Sequence, residues 1–232
     1  MRIDVITAFP SIVRPPLEES IIKRAVQSDL VEINVHDLRN WTKDKHKTID
    51  DTPYGGGAGM VFKVEPLYDC LSELTDKSEA EPSIYLTSPR GKVLDQNLAV
   101  KLSLKQHLIL ISTRYKGVDE RIKNFFKIDE LSIGDFVISG GELAVLVIID
   151  SIVRLLPGAI SDIDSAWSDS FNDHLLDCNY YTRPEIFKGQ RVPDILLSGD
   201  HEKISEWRQT EREKVTKKYR PDLYENYKKM KK

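Results

Sequence analysis

Residues 107–112, His-Leu-Ile-Leu-Ile-Ser, constrain the fold of this chain more than any other segment. The run is nearly all apolar, so neither of its faces suits water. A strand buried on both faces belongs to a parallel sheet covered by helices on both sides. The neighbouring patterns agree. Residues 3–7 read as a strand, Val31, Ile33 and Val35 alternate as a strand does, and residues 84–88 and 130–138 read as extended. Helical spacing appears over residues 18–27, 66–74, 94–102, 118–125 and 142–156. This alternation predicts an α/β fold built on a parallel sheet. Residues 41–60 read as a long loop, and residues 202–219 and 221–232 as two exposed helices. Residues 158–173 are polar and aperiodic, which reads as a linker or a functional loop.

Composition narrows the class. A chain of 232 residues fits one large domain or two modest ones. Its longest apolar run, residues 143–149, is far short of the roughly 18 residues a membrane span needs. That run is apolar on every face, which predicts burial all round, with one face a candidate subunit interface. The N-terminus lacks a signal-peptide pattern, so the expectation is a soluble, cytoplasmic protein. Cys70 and Cys178 read as free thiols. His174, Asp177 and Cys178 match no common zinc pattern, and no metal site is expected. Residues 201–232 hold eleven Lys and Arg against six Asp and Glu, a net +5, while the whole chain is −3 and the remainder therefore −8. An acidic body with a basic end suits either a nucleic-acid or membrane-facing appendage, or a frayed lysine-rich terminus.

Two loops concentrate the glycines. Of twelve in the chain, four lie in Pro53-Tyr54-Gly55-Gly56-Gly57-Ala58-Gly59-Met60 and three in Ile133-Gly134-Asp135-Phe136-Val137-Ile138-Ser139-Gly140-Gly141-Glu142. Glycine weakens regular elements, so these loops are tight turns or places where a ligand lies against main chain. Neither has the Gly-x-x-x-x-Gly-Lys-Ser/Thr of a P-loop, and Gly55-x-Gly57-x-Gly59 misses the dinucleotide spacing by one residue. Asp150 and Arg154 are four apart near the end of the apolar helix: an ordinary surface pair, or an arginine delivered into a cleft.

The motifs together resemble the bacterial tRNA (guanine-N1)-methyltransferases. The resemblance rests on Asp51-x-Pro53-Tyr54-Gly55-Gly56-Gly57-x-Gly59-Met60-Val61, on Arg114-Tyr115-x-Gly117-Val118-Asp119-Glu120-Arg121 and on residues 133–142. It continues through Asp150-Ser151, Arg154, Pro157-Gly158, Asp169-Ser170-Phe171, Leu175-Leu176-Asp177, Tyr181-Thr182-Arg183-Pro184 and Leu197-Ser198-Gly199-Asp200-His201. It implies a SPOUT-type parallel sheet with a C-terminal trefoil knot, plus a small helical C-terminal domain. The implied divisions are a cofactor domain over 1–160, a flexible linker over 161–175 and a helical tRNA-binding domain over 176–232.

The same resemblance implies that the protein methylates the guanine 3′ to the anticodon, position 37, with S-adenosylmethionine as donor. It implies a homodimer with a shared active site and tRNA as partner. Carried over by position, the donor pocket comprises Ser88 and Pro89, the turn holding Thr113, Tyr115 and Gly117, and Ile133, Gly134, Asp135, Phe136, Val137 and Ile138 with Gly140 and Gly141. Asp169 takes the role of general base and Arg154 that of its electrophilic partner, with the loop around Asp169 ordering over bound RNA. Trp207, Arg208, Arg212, Lys214, Lys217 and Lys218 are the implied RNA contacts, against helix packing for Trp207. The chain departs from the family at Thr113 (Gly), Lys116 (Glu), Ala144 (Pro) and Asn179-Tyr180, and Lys116 leaves magnesium an open question. Two other readings are an RNA-binding module without catalysis, which the retained Asp169 and Arg154 oppose, and a Rossmann oxidoreductase, whose phosphate fingerprint is missing.

Overall fold

The computed structural model describes residues 1–160, 169–171 and 173–231. The chain divides into two compact units, Met1–Ser161 and Asp162–Lys232.

Five parallel strands form the sheet of the first unit: β1 (Arg2–Thr7), β2 (Glu32–Asp37), β5 (Ser83–Val93), β6 (His107–Ile111) and β7 (Ile128–Ser132). Their order is β2-β1-β6-β5-β7, so the sheet grows in both directions from the β1–β6 pair. A two-stranded antiparallel ribbon, β3 (Asp50–Asp51) and β4 (Val61–Phe62), closes the glycine-rich loop. The helices are α1 (Pro10–Leu17), α2 (Ser20–Gln27), α3 (Val64–Asp76), α4 (Gln96–Ser103) and α5 (Glu142–Val153).

Strand β6 is buried along its whole length, as its sequence requires. Leu108 and Leu110 pack on one face with Val145, Ile148 and Ile152 of α5. Ile109 and Ile111 pack on the other with Leu67 and Leu71 of α3. A buried carboxylate lies beside this core. Asp4, on β1, is fully buried and accepts hydrogen bonds from Arg2 at 2.8 Å, His36 at 2.7 Å and His107 at 2.6 Å. Burial opposes its ionisation, but those three donors outweigh it and hold the carboxyl at about 2.

Several expectations need correction. Residues 118–125 do not form an α-helix; a five-residue 3-10 turn, Glu120–Asn124, stands there, started by Asp119 accepting from the Arg121 amide at 3.0 Å. Residues 130–138 are not one extended run, because β7 ends at Ser132 and the rest is loop. Strand β5 is longer than residues 84–88: it leaves the ladder after Thr87 and rejoins at Lys92, both opposite Leu131. Gly91 permits that excursion, since a Cβ there would collide with the backbone of Glu130 and Leu131. Helix α1 was hidden by Pro15 and Pro16, which sit in its last turn; burial of Val13 and Leu17 holds it. Finally, α5 is not buried all round within one chain: Leu143 is 56% and Val147 47% exposed.

The second unit contains a two-residue-by-two-residue hairpin, β8 (Ile186–Phe187) with β9 (Gln190–Arg191), and the helices α6 (Asp194–Leu197), α7 (His201–Tyr219) and α8 (Pro221–Met230). Asp200 caps α7 by accepting from the Lys203 amide at 3.2 Å. Residues 161–168 and 172, most of the expected linker over 161–175, lie outside the described residues. No helix among the described residues is long and apolar enough to cross a membrane.

Candidate active site

In an open parallel sheet, ligands bind beyond the carboxyl ends of the strands, where neighbouring connections diverge. The first unit has its pocket there. It is walled by Thr87, Ser88 and Pro89 leaving β5, Thr113 to Tyr115 leaving β6, and the loop from Leu131 through Gly141 leaving β7. Of the expected donor-site residues, Ser88, Pro89, Thr113, Tyr115, Ile133, Gly134, Phe136, Val137, Ile138, Gly140 and Gly141 all line this one pocket. Gly117 and Asp135 are not among its lining residues. Gly117 instead turns the chain beyond Tyr115 at φ 104° and accepts from the Phe62 amide at 3.0 Å.

Short hydrogen bonds fix the walls. Thr87 donates its hydroxyl to the Ile111 carbonyl at 3.1 Å, and Thr113 donates its own to the Thr87 carbonyl at 2.9 Å. The Gly141 amide donates to the Thr113 carbonyl at 2.6 Å. A Cβ on Gly141 would collide with the Thr87 hydroxyl and lie 2.8 Å from the Thr113 nitrogen. The segment therefore passes through a gap that only glycine fits. Thr113 thus spends its hydroxyl on this staple, and its amide donates to the Thr87 hydroxyl oxygen at 3.3 Å.

A charged pair braces the same walls. Glu142, the first residue of α5, is 1% exposed. It accepts from Arg114 Nε at 3.1 and 3.2 Å and from the Thr7 hydroxyl at 3.3 Å. The Arg114 guanidinium lies over the Phe9 ring, 4.1 Å from its centroid. Thr7, Phe9, Arg114 and Glu142 thus tie the ends of β1 and β6 to the start of α5. Sequence reasoning gave Glu142 and Thr87 no role. The signal for Glu142 was its place: a carboxylate between a glycine pair and an apolar helix must find a buried partner or sit at the helix N-terminus, and it does both.

The expected catalytic residues, Arg154 and Asp169, are not among the residues lining this pocket. Arg154 caps the C-terminus of α5, and its amide donates to the Asp150 carbonyl at 3.2 Å. The twelve-residue α5 puts roughly 18 Å of helix between Gly141 and Arg154. Arg154 does not line the donor-site pocket. Leu143, Val147, Asp150 and Arg154 recur at helical spacing on one stripe of α5. Asp169 belongs to the second unit, partly buried, next to Ser170, whose hydroxyl oxygen accepts from the Asp177 amide at 2.9 Å.

The glycine-rich loop after β3 borders a separate cavity in the first unit, with Thr52, Tyr54, Lys63, Glu65, Asp119 and Arg121 around it. Lys116 lies against this loop, its side chain 3.2 Å from where a Gly59 Cβ would stand. In the second unit, Arg212 is engaged by Asp173, at 2.6 and 2.9 Å, which removes it from the freely available cations. Trp207 packs against Tyr181, ring centroids 6.3 Å apart. No group of three or more His, Cys, Asp or Glu side chains that could hold a metal ion occurs among the described residues.

Comparison with known proteins gives one consistent result. A family model described as "tRNA (Guanine-1)-methyltransferase TrmD" matches residues 1–226. A curated tRNA (guanine-N(1)-)-methyltransferase from Christiangramia forsetii is 49% identical over 226 residues, 97% of this chain and 100% of its own length. One from Dehalococcoides mccartyi is 46% identical over 97% of this chain and 91% of its own length. One from Clostridioides difficile is 45% identical over 97% of each.

Proposed function

The chain belongs to the tRNA (guanine-1)-methyltransferase family, and we propose that it transfers the methyl group of S-adenosylmethionine to N1 of the guanine just 3′ of the anticodon. The enzyme class, methyl transfer to guanine N1 in tRNA, follows from the family. The observation that carries the finer reading is the glycine-walled pocket at the strand ends, whose wall at Gly140 and Gly141 packs so closely on Arg114, Glu142, Thr87 and Thr113 that no Cβ fits. The loop from Ile133 to Gly141 that lines the pocket suits an adenosine, and the exposed rings of Tyr115 and Phe136 suit its apolar flank. The residues present therefore fit this donor. When bound, it supplies a methyl group on a sulfonium.

Guanine N1 carries a proton at neutral pH and becomes a good nucleophile only as that proton leaves. In this reading Asp169 accepts it. Negative charge then gathers on O6, where the Arg154 guanidinium stabilises it. Holding the two reactants in line supplies the rest.

The distance along α5 supports a homodimer with a composite site. Within one chain Arg154 stands a helix length from the donor pocket, on the same stripe as the exposed Leu143 and Val147. A second copy covering that stripe brings its own pocket towards Arg154. The SPOUT-type trefoil knot belongs to the same proposal. Its support is the Gly141 segment, which passes between Thr87 and Thr113 through a gap closed to any larger residue. We assign residues 1–160 to the donor domain, 161–175 to a linker and 176–232 to tRNA binding, in a cytoplasmic enzyme. Lys116, a cation at the glycine loop, offers no ligand for magnesium, and no step here uses one.

The test is Asp169→Ala in a transfer assay with tRNA transcripts and labelled donor. Turnover is expected to vanish while donor binding persists. Undiminished turnover removes Asp169 from its role.

A further inference from the structure

Five arginines lie in the second unit, and three are taken up by carboxylates. Arg191 meets Glu185 at 2.9 Å, Arg212 meets Asp173 at 2.6 Å and Arg220 meets Asp222 at 2.6 Å. The other two, Arg183 and Arg208, have no carboxylate within ion-pairing distance among the described residues. Both line the same cavity, of about 570 Å³. Its walls also carry Tyr180, Tyr181 and Trp207.

A lone unpaired arginine on a surface is ordinary. Here two are left unpaired together, in a unit that neutralises its other arginines, and the cavity they line is also lined by aromatic residues. Tyr180 is 65% and Tyr181 49% exposed. The Tyr181 and Trp207 planes are inclined at 55°, so the two rings are not stacked on each other. Guanidinium groups select a phosphate, and aromatic faces select a base that has left its stack. A base inside a duplex offers no face to such a wall. The volume falls within the roughly 300–1,000 Å³ of ordinary small-ligand sites. The positive C-terminal end of the unit, with eleven Lys and Arg against six Asp and Glu over residues 201–232, favours a polyanion over an apolar peptide.

We propose that this cavity holds one unstacked nucleotide of the tRNA, other than the guanine that is methylated. Its base lies against Trp207 and Tyr181, and its phosphate against Arg183 and Arg208. The proposal rests on the tRNA reading above and adds a second point of contact to it. The contact is sequence-tolerant, because every base has a face to stack.

The experiment uses the full-length chain, tRNA transcripts and the methyl donor. Combining Arg183→Ala with Arg208→Ala is expected to raise the KM for tRNA about tenfold or more. kcat at saturating tRNA and the KM for donor should stay unchanged. The salt dependence of tRNA binding should become shallower by about 0.7 in log–log slope, because one single-strand phosphate charge is no longer neutralised. Trp207→Ala should raise the same KM, and Trp207→Phe should restore most of it. Unchanged tRNA affinity and salt slope in the double variant overturn the proposal. So does a Trp207→Phe enzyme as impaired as Trp207→Ala, or parallel loss of donor binding in every variant, since those mark a packing role. If the wild type binds tRNA without methylating it, the catalytic reading falls and the same binding measurements still decide the cavity.

Discussion

Arg114 donates from Nε to both carboxylate oxygens of Glu142, at 3.1 and 3.2 Å, and this pair joins the two chain segments that wall the proposed donor pocket. Arg114 lies between Thr113 and Tyr115; Glu142 follows Gly140 and Gly141. Residues 114 and 140 also form an isolated antiparallel bridge. The ion pair acts on the pocket through its backbone, so Glu142 is a positioning residue.

Replacing Glu142 with glutamine keeps its shape and removes its charge. The affected hydrogen bonds involve a charged group and are worth roughly 1.5–3 kcal/mol. The KM for the methyl donor is expected to rise about tenfold, with kcat falling much less. Steady-state kinetics with varied donor checks this. An unchanged donor KM in a less stable protein would show that Glu142 only supports the fold.

Asp4 makes a pH prediction with a defined sign. Its carboxyl is depressed from 3.8 to about 2 in the folded chain. A depressed acid contributes stability that is present above its unfolded pKa and lost as pH falls through the folded one. The window is therefore about pH 4 down to 2, and the contribution is roughly 2 kcal/mol. Asp4→Asn should be less stable than wild type at pH 7, and the difference should shrink across that window. Urea unfolding at a series of pH values measures it; a gap independent of pH contradicts the assignment.

The exposed pair on α5 predicts assembly. Leu143 and Val147 leave an apolar stripe on a helix whose other faces are buried. A charge there disfavours any apolar interface. Val147→Glu should sediment as a monomer where wild type sediments as a dimer, and should lose turnover with it if Arg154 serves the partner's pocket. A monomeric wild type, or a fully active monomeric variant, contradicts the composite site.

The legible parts of the fold were those where one residue pattern decides the outcome. Strand β6 was legible because an all-apolar run has only one kind of home. The pocket was legible through Gly140 and Gly141, whose missing side chains mark a crossing of chains. Helix α1 was not, because Pro15 and Pro16 punctuate it and only the tertiary contacts of Val13 and Leu17 override them. The β5 excursion was not legible either. Gly91, two residues after Pro89, looks like any turn glycine, and its reason is the backbone of β7, thirty-nine residues on at Glu130. The brace on Glu142 depends on Thr7, 135 residues away, a separation no local pattern reports. Residues 118–125 carried helical spacing, but a 3-10 turn satisfies the same burial of Ile122 in fewer residues.

The most direct measurement is product analysis after incubation of the wild-type chain with S-adenosylmethionine and a tRNA transcript bearing guanine 3′ of the anticodon. Nuclease digestion and mass spectrometry should find N1-methylguanosine at that position, and none when adenine replaces it. A methyl group at another atom or another nucleotide, or no transfer while donor is bound, would contradict the account.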